Sequence, residues 1–96
     1  MKLNFTSHHL EITSALKNFT TEKMLRLEKH YNQIAQVTVT FRVENVVQIA
    51  EATTKLHGSE IHATAKADDM YTAIDILVDK LIGQVQKLKE KLTEHR

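Results

Sequence analysis

Ninety-six residues, 42% of them hydrophobic, suffice for one core but leave no room for a large buried cleft. Cysteine is absent, which excludes disulfides, thiolate metal sites and cysteine nucleophiles. The formal net charge of +1 conceals an asymmetry: residues 1–43 carry six Lys/Arg against three Asp/Glu, residues 44–79 two against seven, and residues 80–96 five against two.

Lys2 to Ser7 alternates, with Leu3 and Phe5 on one side and Asn4 and Thr6 on the other, and reads as a short strand. Thr13, or Ser14 one residue later, can cap a helix running to about Tyr31 that buries Leu16, Phe19, Met24, Leu27 and Tyr31. After a polar break at Asn32 and Gln33, Gln36 to Glu44 gives the clearest strand. Val37, Val39, Phe41 and Val43 face one way, Thr38, Thr40, Arg42 and Glu44 the other. Two further strands share a hairpin around His57-Gly58-Ser59-Glu60. A Gly-Ser centre predicts a register that places Leu56 opposite Ile61, Thr54 opposite Ala63 and Glu51 opposite Lys66. Asp68 or Asp69 then caps a long last helix. Its apolar stripe is Met70, Ile74, Leu77, Leu81, Val85, Leu88 and Leu92, at three- and four-residue steps.

The expected fold is α+β, a single domain over residues 1–96 in the order β-α-β-β-β-α. A crossover makes the first two strands parallel and hairpins add the others antiparallel, giving a four-stranded mixed sheet. Each strand has one apolar face, so both helices pack on one side of the sheet and the other side is wet. No apolar run spans a membrane. The segment MKLNFTSHHLEIT lacks the apolar centre of a signal peptide, so a cytoplasmic protein beginning near Met1 is expected.

The chemistry-bearing residues offer little for catalysis. His57 and His62 can lie diagonally on the wet face, but no third metal ligand follows from spacing, and His95 sits near the C-terminal end. Asp75 and Asp79, one helical turn apart, read as complements to the helix dipole. Ser7, Ser14 and Ser59 have no His/Asp arrangement, and Gly58 and Gly83 form no phosphate loop. No metal, cofactor or small-molecule substrate is expected.

Cations are arranged more suggestively. Lys80, Gln84, Lys87 and Lys91 recur along one helical face, and Lys23, Arg26 and His30, with Lys29 beside them, recur along the first helix. If the two helices lie side by side, these rows border one groove suited to the phosphates of a folded RNA. Few aromatic residues are available to stack on single-stranded bases. Tyr31 fits the core, and Tyr71 fits either packing or contact.

The segments LNFTS, LEIT, LRLEKHY, GSEIHATA and DMYTAIDILVDKL give the chain a resemblance to the short hibernation-promoting factors of bacterial ribosomes and the related ribosome-associated inhibitors. The resemblance implies a non-enzymatic domain similar to double-stranded-RNA-binding domains. Such a domain enters the small ribosomal subunit, contacts its rRNA and neighbouring ribosomal proteins, and covers tRNA and mRNA sites in stationary phase. It also implies cooperation with ribosome modulation factor in forming inactive ribosome pairs. The end at Arg96, without an acidic tail or a further domain, favours the short form. The resemblance carries over Lys23, Arg26 and Lys29 on the first helix and Lys80, Lys87 and Lys91 on the last; with His30 and Gln84 from the two rows they are the candidate RNA contacts, and Arg42, Lys55 and Lys66 are weaker candidates. Gly83 departs from the basic residue that relatives often carry there. The competing readings are a general double-stranded-RNA binder and a protein-interaction module acting through the open sheet face.

Overall fold

A computed structural model describes residues 1–93, with side chains through Lys91; Leu92 and His95 lie outside the described side chains. The elements are β1 (Lys2–His8), α1 (Ser14–His30), β2 (Gln36–Glu44), β3 (Val47–Leu56), β4 (Ser59–Ala67) and α2 (Met70–Thr93). They form one four-stranded sheet in the order β1-β2-β3-β4, with β1 parallel to β2 and the other neighbours antiparallel. The alternation of each strand therefore becomes a division between two faces.

On one face Val37, Val39 and Phe41 of β2, Ala50, Ala52 and Leu56 of β3, and Ile61, Ala63 and Ala65 of β4 are buried. They meet Leu16, Met24 and Leu27 of α1 and Ile74, Leu77, Leu81 and Val85 of α2, in one apolar cluster. Phe19, Tyr31 and Leu88 are half-buried at its margin. Each fully buried large side chain contributes roughly 1.5–3 kcal/mol relative to exposure. The run of alanines on β3 and β4 keeps the sheet surface shallow, so α2 lies close over these two strands.

Local signals set the helix starts. Leu16 N donates to Thr13 Oγ1 at 3.1 Å, which makes Thr13 the N-cap of α1. Asp69 performs the same task for α2: its carboxylate accepts from Thr72 N at 2.8 Å and Thr72 Oγ1 at 2.7 Å. Those two donations, the backbone one first, hold the Asp69 carboxyl below its ordinary pKa.

The β3–β4 register differs from expectation by two residues. Leu56 pairs with Ser59, Thr54 with Ile61 and Glu51 with Thr64, so Lys66 stands opposite Ile49 and not Glu51. His57 (φ 52°) and Gly58 (φ 78°) are the two central turn residues, both in the left-handed region. A two-residue turn with positive φ at both centres matches the twist of a hairpin, and histidine tolerates that region better than most residues. Because the shift is even, side chains within the strands keep their expected faces, while His57 leaves the sheet for the turn.

The open face is less wet than predicted. Ile49, between Arg42 and Lys66 in register, is fully buried there. Around it Glu51 pairs with the Arg42 guanidinium and lies 3.5 Å from His62 Nε2. His62 Nδ1 shares a 2.8 Å hydrogen bond with Thr53 Oγ1.

Candidate nucleic-acid interface

The contacts between the helices ascend together: Phe19 meets Tyr71, Lys23 meets Asp75, Arg26 meets Asp79 and His30 meets Lys89. The two helices therefore run parallel, side by side on one sheet face. The Phe19 and Tyr71 rings meet edge to face with centroids 4.8 Å apart, so Tyr71 packs between helices while remaining partly exposed.

The predicted cations divide into two sets. Lys23 Nζ lies 3.3 Å from Asp75 Oδ1, and Arg26 Nη2 lies 2.9 Å from Asp79 Oδ1. Asp75 and Asp79, expected to serve the helix dipole, are instead ion partners across the groove. All four side chains are about a third exposed or more, so each pair contributes about 0–1 kcal/mol to stability. Lys23 Nζ also stands 5.3 Å from the Phe19 ring centroid.

Lys80 and Gln84 occupy the other flank of α2, above β4. Lys80 Nζ donates to the Thr64 carbonyl and Gln84 Nε2 to the His62 carbonyl, both at 2.7 Å. These are carbonyls of an edge strand, two residues apart, and the two side chains reach them from positions one helical turn apart. One N–H of the Lys80 ammonium is used in this way; an ammonium has three. Lys87 and Lys91 continue the flank and are exposed, as are Lys29 and His30 near the end of α1.

The expectation of one groove bordered by both rows is thus corrected. At 100° per residue, the side of α2 that meets α1 and the side that reaches β4 are different sides, with Ile76 and Gly83 on the crest between them. Both cation sets still lie on the helical side of the molecule. The groove between helices is acid-neutralised, whereas the β4 flank carries a ridge of cations.

Sequence reasoning passed over Lys89. Its Nζ is 3.4 Å from the His30 carbonyl and 5.2 Å from the Tyr31 ring centroid, which places a cation at the α1 C-terminus, where the helix dipole favours one. Its position on α2, outside the Lys80–Lys91 row, was the available signal. Among the weaker candidates, Arg42 is held by Glu44 and Glu51, and Lys55 stands opposite Glu60. His57, expected on the open face, is instead at the hairpin tip, sharing a 2.5 Å hydrogen bond with Tyr31 Oη. Among the described residues no three His, Cys, Asp or Glu side chains are grouped to hold a metal ion, and no helix is long and apolar enough to cross a membrane.

Comparison with known proteins follows the same architecture. The family model described as sigma 54 modulation protein / S30EA ribosomal protein matches residues 3–93. The chain belongs to this family. It is 48% identical over 95 residues to the ribosome hibernation promoting factor of Klebsiella oxytoca, covering 99% of this chain and 100% of the relative. The factor of the same name from Azotobacter vinelandii is 44% identical over 96 residues, covering 100% of this chain and 90% of the relative. A ribosomal subunit interface protein from Coxiella burnetii superimposes with a TM-score of 0.89 at 33% identity, over 94% of this chain and 99% of that one. The N-terminal domain of Protein Y from Thermus thermophilus does so with a TM-score of 0.82 at 27% identity, over 92% and 99%.

Proposed function

We propose that this protein is a ribosome hibernation factor that binds the small ribosomal subunit through rRNA phosphates. The observation that carries the reading is full-length similarity, at 48% identity, to proteins named for ribosome hibernation. The cationic ridge supports it in physical terms. Lys80 and Gln84 are fixed by the β4 edge, Lys87 and Lys91 extend the row, and ammonium groups at helical intervals on a stiff rod suit a polyanion. The domain acts in the cytoplasm by occupancy and not by catalysis. Seated on the subunit, it covers the sites of tRNA and mRNA, silences translation in stationary phase, and with ribosome modulation factor favours inactive ribosome pairs.

Sedimentation of purified small subunits with added protein tests this. The protein should travel with the subunits at low salt and dissociate as salt rises, because each phosphate contact releases counterions. A folded Lys80→Glu/Lys87→Glu/Lys91→Glu variant should lose binding. Undiminished subunit association by that variant would remove the ridge from the interface, and comparable binding of the wild type to any free RNA duplex would replace the ribosome with general duplex recognition.

A further inference from the structure

We infer that Asp75 and Asp79 act as built-in phosphate mimics. They hold Lys23 and Arg26 in reserve, so that the α1 cations engage only an RNA already seated on the α2 ridge. The inference rests on the proposed docking of the helical side on RNA phosphates and concerns how that docking is made selective.

Carboxylate and phosphate oxygens accept from the same donors. Arg26 Nη2 meets Asp79 Oδ1 at 2.9 Å, the distance of a charge-assisted hydrogen bond, and Lys23 Nζ is 3.3 Å from Asp75 Oδ1. The register is regular: Asp75 and Asp79 stand four residues apart on α2, Lys23 and Arg26 three apart on α1, and parallel helices bring both pairs into contact. Both pairs are open to solvent, Arg26 and Asp79 at 51% and 65% exposure and Lys23 and Asp75 less so at 35% and 49%. A polyanion can therefore reach both cations, and opening the pairs is easy.

Asp79 and Lys80 are adjacent in sequence, yet their side chains serve opposite flanks of α2. An RNA strand laid across the crest is attracted by the ridge and repelled by the two carboxylates. A generic duplex, held by few contacts to the ridge, presents phosphates to Lys23 and Arg26 only at low effective concentration, so even weakly held carboxylates keep those cations. An RNA surface already anchored on Lys80, Lys87 and Lys91 presents its further phosphates at high effective concentration and displaces them. The acids are thus a repulsive element that weakens incidental partners more than the fitted one, the usual way charge produces specificity.

The test compares wild type with Asp75→Asn/Asp79→Asn. Each is titrated over a range of salt against a synthetic RNA duplex of unrelated sequence and against purified small subunits. The variant should bind the duplex about tenfold more tightly, with a log–log salt slope steeper by about two, one for each cation released, while its affinity for subunits changes less. A thermal melt by circular dichroism separates this from cohesion, because a purely structural role would lower the midpoint without altering the salt slope. Unchanged duplex affinity and slope in a folded variant, with wild type still binding subunits, would overturn the inference alone. Wild type that fails to bind subunits at low salt would overturn the proposed function, and this inference with it.

Discussion

At Asp69 two donors from a single threonine converge on one carboxylate, and the start of α2 depends on its charge. Its folded pKa is depressed, so the stabilisation is complete above the ordinary carboxylate pKa and disappears as pH falls through the lowered one. Asp69→Ala should therefore lower the thermal midpoint at neutral pH, and the deficit should shrink as the melt is repeated at increasingly acidic pH. Gly83 gives the opposite case. It lies within α2, and a Cβ added there meets nothing within 4 Å. Gly83→Ala should stabilise the protein by about 1 kcal/mol, a rise of roughly 4–8 °C in a thermal melt. Caps of this kind were legible to within one residue because capping is local: Thr13 or Ser14, and Asp68 or Asp69, precede apolar periodic runs, and the hydrogen bonds select Thr13 and Asp69. Thr20 was not legible. It is fully buried at a core position, its hydroxyl donating to the Leu16 carbonyl at 2.8 Å, and a polar residue adds nothing to an apolar pattern.

At the scale of elements, the sheet has two edges, and the outer edge of β4 is covered by side chains from α2. Lys80 and Gln84 occupy the Thr64 and His62 carbonyls, acceptors that another strand could otherwise pair with. Lys80→Ala/Gln84→Ala should accordingly self-associate more steeply with concentration than wild type, as read by light scattering after size-exclusion chromatography. A variant with the wild-type concentration dependence would leave these contacts without a protective role. The β3–β4 hairpin shows where pattern reading reaches its limit. Alternation fixed which residues face the helices, because a shift of two positions preserves the face. It did not fix the register, which depended on whether His57 or Ser59 joined Gly58 at the turn centre, a matter of backbone dihedral angles.

For the whole molecule, the uneven distribution of charge along the chain gains meaning from the parallel arrangement of α1 and α2. The acidic middle of the sequence includes Asp75 and Asp79, which fold back against Lys23 and Arg26, while Lys80, Lys87 and Lys91 lie on the other flank of α2. The chain is 47 Å long in one direction and 22 and 19 Å in the others, an elongation that a 24-residue helix of about 36 Å largely accounts for. By itself the sequence determined the element order, the sheet faces, the caps to within one residue and the existence of two cation rows, because period and capping depend on neighbours a few positions away. Only the tertiary structure decided which cations are neutralised and which remain as a ridge. Ion pairs such as Arg26 with Asp79 join residues 53 positions apart, and the direction in which a helix presents each flank is set by what packs beneath it.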